Sequence, residues 1–375
     1  MSRKIKTAES VTIGHPDKLA DLIADRILDE CLKHDRRSRV AVEVLLSGRN
    51  VIIAGEVTTR GRINFKRCAL EVIAAAGYET DRLHVQVHVH KQSPDIAQAV
   101  SYGIDQGAGD QGIMYGYATN ETCFGLPAPV VFARGLTMRL TECYLNGEIE
   151  GLKPDGKAQV SIAYEAGKRP EITSIIISAQ HTEDTDLDKF RNEILEKVVH
   201  NGIYRRYDIS KAEILINPSG KFVLGGFEAD TGLTGRKLMV DTYGGLAHHG
   251  GGAFSGKDAS KVDRSGAYMA RYIAKNIVAA GLADECEVAL TYAIGKAEPT
   301  SVDIDTFGTG DAERIKAAVL EVFDLRPAAI IKQLHLRAPK YLEAALNLHF
   351  GDDEFEWEKT NRVDALLTAM ECPLI

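Results

Sequence analysis

The chain has 375 residues, 45% hydrophobic and 26% charged, with a formal net charge of −8. That length allows two or three domains with ample core, and the acidic balance argues against nucleic acid, whose binders usually carry a basic face. Its six cysteines form no CxxC pair, no apolar run approaches the ~18 residues of a membrane span, and residues 1–7 lack a signal peptide's apolar stretch, so a reduced, cytoplasmic, soluble protein is expected.

The first predicted element follows Gly14-His15-Pro16-Asp17-Lys18, where Leu19, Leu22, Ile23, Ile27, Cys31 and Leu32 repeat at helical spacing. Pro16 suits the first helical position, because its missing N–H costs nothing there. His15 and Asp17 then sit at the helix mouth, where free N–H groups and the dipole favour anions. The plainer alternative is that Asp17 only helps the helix start.

Val40 to Leu46, a turn at Ser47-Gly48-Arg49-Asn50, and Val51 to Thr58 predict a hairpin. A helix capped by Asn64 and a strand over Leu83 to His90 follow. With the turn centred on Gly48 and Arg49, position 43 pairs with 54 and position 41 with 56. Glu43 and Glu56 become diagonal neighbours on one face, roughly 7 Å apart. The apolar residues around them predict a largely buried face, which would call for nearby cations or a shared proton; an edge open to solvent is the alternative. On the last strand His84, His88 and His90 share a face with Gln86 and read as polar surface rather than zinc ligands.

Hairpin, helix and strand return at Gln159–Tyr164, Ile172–Ala179, about 186–199 and Glu213–Ile216. A third round runs through Cys286–Ile294, Ser301–Thr306 and a helix over about 311–323. The expectation is an α+β fold of three similar units, over 1–100, 106–224 and 225–375. Between the first two units, Ser93 to Gln106 reads as a lid leading into the Gly-rich turn 107–112.

Gly250-Gly251-Gly252-Ala253-Phe254-Ser255-Gly256-Lys257-Asp258 nearly spells a phosphate-binding loop. Asp258 stands where that motif needs a Ser or Thr hydroxyl for Mg²⁺, so a polyphosphate site on another plan is expected. Asp230, then Arg236 and Lys237 on a Gly-rich turn, join it through a predicted strand, Leu238 to Thr242. An acidic chain can bind a polyanion by concentrating its cations locally. No nucleophile elbow or Ser/His/Asp set is present, which points to holding a polyanion rather than to covalent catalysis.

His15-Pro16-Asp17-Lys18, Gly107 to Gly112 (GAGDQG), Gly250 to Asp258 (GGGAFSGKD) and Lys261 to Ser265 closely resemble the S-adenosylmethionine synthetase (methionine adenosyltransferase) family. The resemblance covers nearly the whole chain. It implies three domains about a pseudo-threefold axis, and a dimer with active sites between subunits, often paired into a tetramer. It also implies the reaction: the sulfur of L-methionine attacks the ribose 5′ carbon of ATP, and the expelled triphosphate is hydrolysed to diphosphate and phosphate.

Carried over by position, the resemblance implies that His15 contacts triphosphate near the scissile bond. Lys157, Arg236, Lys237, Lys257 and Lys261 would grip it, with Asp155, Lys221, Phe222, Asp230 and Ala253 around ATP. Glu56, Gln92, Asp230 and Lys261 would hold methionine. Asp17 and Asp263 would bind Mg²⁺, two ions per site, and Glu43 would bind K⁺. Ile13 departs from the family's acid, Ala179 from its threonine, and 227–229 and the loop after Val100 are atypical. The competing readings are a P-loop-like kinase or NTPase and a non-catalytic ATP-binding paralogue.

Overall fold

A computed structural model describes residues 3–92, 107–203 and 207–371. The expected lid over Ser93 to Gln106 and the thiol of Cys372 lie outside the described residues.

Three sheets organise the chain. The first hairpin is β2 (Arg39–Ser47) and β3 (Asn50–Thr58), with β4 (His84–His90) added parallel to β3. The second is β6 (Leu152–Tyr164) and β7 (Glu171–His181), with β8 (Glu213–Ile216) parallel to β7. The third is β10 (Glu285–Tyr292) and β11 (Ser301–Asp305). No parallel strand follows β11 among the described residues, so the third round of the repeat is shorter than the sequence suggested. Its helix leads instead into further helices.

Each sheet takes its remaining edge strand from elsewhere in the chain. β1 (Lys4–Val11) pairs with β6, β5 (Gly112–Thr119) with β10, and β9 (Gly232–Leu233) with β2, all antiparallel. The exchange is cyclic, because a strand near each hairpin's start joins a different hairpin's sheet. Three long helices fill the gaps between exchanged strand and following hairpin: α1 (Pro16–His34), α3 (Ala128–Leu145) and α5 (Val262–Ala279). After the hairpins come α2 (Phe65–Ala75), α4 (Leu187–Ile194) and α6 (Ala312–Val322), then α7 (Pro327–Gln333), α8 (Tyr341–Leu346) and α9 (Val363–Glu371). Asn64, Asp186 and Asp311 cap α2, α4 and α6 by accepting N–H groups of the first turn.

One apolar core joins the first and third units: Val40, Val42, Val44, Leu46, Val51 and Ile53 of the first sheet meet α1, and α5 packs on β5 and β10. A separate core holds the second unit, under α3. The close approach of α5 to β5 depends on Gly116, where a Cβ would lie 1.9 Å from the Ala270 carbonyl carbon.

The acidic side of α1 positions the rest. Asp17, Asp21, Asp25 and Asp29 recur every four residues, and each accepts backbone N–H groups from distant segments. Asp29 takes those of Tyr341 and Leu342, both at 2.9 Å, and so caps the start of α8. Burial pushes its carboxyl up to about 6 despite those two bonds. Asp29→Ala strips both acceptors and should destabilise the fold by about 1–3 kcal/mol, read as a lower denaturant midpoint with unchanged slope; an unchanged midpoint would remove the cap from the account.

Candidate active site

The site begins at the α1 N-terminus. His15 is extended (φ −63°, ψ 133°) and Pro16 opens the helix, as its fixed φ favours. The His15 Nδ1 accepts the Asp17 N–H at 3.2 Å, so the neutral ring carries its proton on Nε2. The ring is buried, and that burial, with Lys237 and Lys157 nearby, pushes its pKa down to about 3. His15 is therefore a neutral donor over the physiological range.

Asp17 is 3% exposed and fully engaged. Its Oδ1 accepts the Leu233 N–H at 3.0 Å, its Oδ2 lies 2.6 Å from Lys237 Nζ, and Arg236 Nε stands 3.7 Å from Oδ1. Burial alone would raise this carboxyl, but Lys237 and the Leu233 amide outweigh it and hold the pKa below the usual range. Asp155 borders the cluster and accepts the Gly226 N–H at 2.8 Å; burial raises its pKa. Lys157 is exposed on β6, beside Val11 of β1, and Asp230 is exposed at the end of the 226–230 turn.

The second cluster lies on the glycine-rich loop. Its chain runs along the edge of β2: the Val42 N–H donates to the Gly256 carbonyl at 3.0 Å and the Asp258 N–H to that of Val40. Lys257 Nζ holds Asp263 Oδ2 at 2.5 Å, and a Cβ at Gly252 would lie 2.2 Å from the Asp263 carboxylate, so the loop wraps that side chain. Gly250 packs equally tightly on the Ile113 carbonyl at the start of β5, which brings the GAGDQG turn alongside.

Asp258, the residue that breaks the phosphate-loop pattern, faces inward. It is 4% exposed and accepts the Val40 and Ser260 N–H groups and the Lys261 ammonium, the last at 2.5 Å. Burial would raise its pKa, but Lys261 holds it low. The loop is thus riveted to a sheet edge, and α5 starts only at Val262 with Lys261 at its cap position. That differs from a phosphate loop, which passes from strand directly into helix.

The two clusters adjoin. A Cβ at Gly235, just before Arg236, would lie 2.6 Å from the Ala253 Cβ. A cavity of about 310 Å³ is lined by Glu43, Glu56, Thr234, Ala253, Ser255 and Lys257 among others. The hairpin register matches the arithmetic, with Glu43 opposite Ala54 and Glu56 opposite Ala41. The burial expectation does not hold: Glu43 is exposed and Glu56 half-exposed, because the opposite face, with Val40, Val42 and Val44, supplies the core. Glu56 lies 3.2 Å from His90, and His84, His88 and His90 are all exposed.

Some expected residues stand apart. Gln92 leaves the end of β4 with its N–H on Thr58 Oγ1, and does not line the cavity. Lys221 and Phe222 lie beside the end of β7, where the Phe222 carbonyl accepts the His181 N–H at 2.9 Å and the Phe222 N–H donates to His181 Nε2 at 3.0 Å. The link from Arg236–Lys237 to the loop is a helical turn, Leu238–Asp241, rather than a strand; the Asp241 N–H closes it onto the Lys237 carbonyl.

Sequence reasoning passed over Asp21 and Asp25. Asp21 accepts the Gly235 N–H at 2.8 Å, and Asp25 accepts the Gly256 N–H at 2.9 Å while pairing with buried Arg264. Burial raises both, Asp21 to about 7 against the pull of Lys18. Their four-residue spacing from Asp17 was the available signal.

Among the described residues no group of three or more His, Cys, Asp or Glu side chains could hold a metal ion. Asp17 and Asp263 are hard oxygen donors that each hold a lysine ammonium where a cation would sit. That donor set fits Mg²⁺, which commonly takes one or two carboxylates and completes its shell with water and substrate phosphate.

His15 makes stability pH-dependent. Unfolded, the ring protonates near pH 6.5; folded, only near 3. Its contribution is therefore complete above pH 6.5 and is lost as pH falls below that. From about pH 7.5 to about 5.5 the wild type should lose about 1.4 kcal/mol more than His15→Gln, read from denaturant midpoints; parallel losses would contradict the buried neutral ring.

Comparison with known proteins covers nearly the whole chain. Residues 3–97, 105–222 and 224–359 match the N-terminal, central and C-terminal domains of S-adenosylmethionine synthetase. The chain is 50% identical over 372 residues to S-adenosylmethionine synthase 1 of Rhodospirillum rubrum, covering 96% of this chain and 97% of that protein. It is 49% identical over 394 residues to S-adenosylmethionine synthase of a Nocardioides species (98% and 99%). It is also 49% identical over 373 residues to S-adenosylmethionine synthase 1 of Rhodopseudomonas palustris (96% and 97%). A chain with all three domains in order, and half its residues shared over nearly full length, belongs to the S-adenosylmethionine synthetase family.

Proposed function

We propose that this enzyme, a methionine adenosyltransferase by family, joins ATP and L-methionine at the paired clusters around Asp17 and Asp263 and expels the intact triphosphate. The observation that carries the reading is the junction of Gly235 with Ala253, which sets the Arg236–Lys237 turn beside the loop of Lys257. The methionine sulfur attacks the ribose 5′ carbon. As the S–C bond forms, the C–O bond breaks, and its electron pair stays on the departing triphosphate oxygen.

A thioether needs no general base, so the demand falls on the leaving group, which carries about four negative charges; cations and donors aimed at that charge supply the stabilisation. His15 offers its Nε2 proton to the departing oxygen as a hydrogen bond. Arg236, Lys237, Lys257, Lys261 and Lys157 take the phosphate oxygens. Lys237, Lys257 and Lys261 each hold an aspartate in the free chain, and would exchange it for phosphate.

Asp17 and Asp263 would hold Mg²⁺, which neutralises phosphate charge, and Glu43 would contribute to K⁺ binding. Asp155, Asp230, Ala253, Lys221 and Phe222 would surround the nucleotide, with Glu56, Gln92, Asp230 and Lys261 on methionine. Hydrolysis of triphosphate to diphosphate and phosphate would follow at the same cations. The half-exposed face of Glu43 and Glu56 favours a second copy completing the site in a dimer or tetramer. A cytoplasmic location belongs to the same reading, and the domains would span 1–100, 106–224 and 225–375; no helix among the described residues is long and apolar enough to cross a membrane.

A phosphoryl-transferring kinase is disfavoured by the glycine-rich loop itself, which Asp258 fastens to β2. Incubation with ATP and methionine should yield the sulfonium product with diphosphate and phosphate. ADP formation would point to the kinase, and nucleotide binding without turnover to the non-catalytic paralogue. Lys257→Ala should cut turnover about a hundredfold, the equivalent of roughly 2.7 kcal/mol of leaving-group stabilisation; wild-type turnover would remove Lys257 from the site. Asp17→Asn should shift the Mg²⁺ dependence of turnover to much higher concentration, and an unchanged titration would count against its role.

A further inference from the structure

Asp21 is not among the residues assigned above to ATP or methionine, yet it grips the hinge of the basic turn. It is fully buried on α1, with Oδ1 accepting the Gly235 N–H at 2.8 Å. Its Oδ2 is buried with no hydrogen-bond partner among the described residues, only a 3.5 Å ion pair with Lys18, which itself donates to Asp241 at 2.5 Å. Asp241 and Asp25 are the other acids that press on it. Burying a carboxylate with one oxygen unsatisfied is costly, so a packing role alone would be better filled by an apolar side chain.

The earlier part of the turn has anchors besides Asp21. Gly232 and Leu233 pair with Leu46 and Leu45, the Leu233 N–H is held by Asp17, and the Thr234 N–H is held by the Val44 carbonyl at 3.0 Å. At the exit, Asp21 takes the Gly235 N–H itself, whereas Asp17 meets only the tips of the Arg236 and Lys237 side chains and the Asp241 N–H only the Lys237 carbonyl. Gly235 lies at φ +80°, the left-handed region, and the next two residues are Arg236 and Lys237. The same glycine is where the turn meets Ala253 of the second cluster.

We propose that Asp21 is a positioning residue: by holding the Gly235 amide it sets the direction in which Arg236 and Lys237 leave the turn, and hence their reach onto the triphosphate. This rests on the triphosphate site described above. A misplacement of about 1 Å in such donors can cost on the order of a hundredfold in rate.

The test uses full-length protein, with turnover kinetics and calorimetric binding of Mg²⁺–tripolyphosphate measured side by side. Asp21→Ala should lower kcat at least about tenfold and weaken tripolyphosphate, leaving the KM for methionine within about twofold. Asp21→Asn, whose amide oxygen accepts the same bond, should recover most of both. Asp29→Ala removes caps from the same helix face away from the basic loops, and should lower stability without changing kcat. Gly235→Ala, strained at its positive φ and crowded by Ala253, should reproduce the Asp21→Ala defect and serves if that variant does not fold.

Unchanged tripolyphosphate binding in Asp21→Ala, full activity in Gly235→Ala, an equal kinetic loss in Asp29→Ala, or no recovery in Asp21→Asn would each overturn the inference. A wild type that binds tripolyphosphate more tightly than Asp21→Ala but forms no sulfonium would sustain it and overturn the proposed reaction instead.

Discussion

The hold of one helix face on backbone amides from remote segments underlies this structure. Asp17, Asp21, Asp25 and Asp29 take N–H groups of Leu233, Gly235, Gly256, Tyr341 and Leu342, more than two hundred residues away in sequence. Each is a charge-capable acceptor at or near the core, and a buried backbone donor left without a partner is expensive. The basic turn and the glycine-rich loop have no regular structure of their own beyond a two-residue strand and a helical turn. Their shape is borrowed from α1 on one side and from β2 on the other.

The electrostatics follow. Lysines gathered in one place repel one another, and here three are matched by acids: Lys237 by Asp17, Lys257 by Asp263, Lys261 by Asp258. Under the proposed reading, local pairing would let a chain with net charge −8 offer cations to a polyanion. It also suggests why the acids are aspartates on rigid elements. Asp258 and Asp17 are almost wholly buried, so they would stay in place if their lysines moved to phosphate as proposed.

Much of this was legible in the sequence where local rules decide. The two-residue turn at Gly48 and Arg49 fixed the register that brings Glu43 and Glu56 to one face. Asn64, Asp186 and Asp311 announced three helix starts, and Pro16 a fourth. The strand exchange was not legible. β1, β5 and β9 are claimed by hairpins far along the chain, and nothing within them encodes that partner. The β-branched residues of 238–242 favoured a strand, but a helical turn forms because Arg134 gathers the Val240 and Thr242 carbonyls at 3.0 and 2.8 Å. Burial of the Glu43 face was misjudged since alternation shows that a strand has two faces, and which one meets the core depends on α1. The loops of the candidate site could be named from sequence; that Asp21 and Asp25 bond to them needed the fold, although the spacing of these aspartates was visible.

The most direct measurement is a crystal structure of the protein grown with Mg²⁺ and a non-hydrolysable ATP analogue. The account predicts phosphate oxygens at hydrogen-bonding distance from Lys237 and Lys257, with both ammonium groups released from Asp17 and Asp263 while Asp21 still holds Gly235. A phosphate chain bound elsewhere, with those two lysines still on their aspartates, would contradict it.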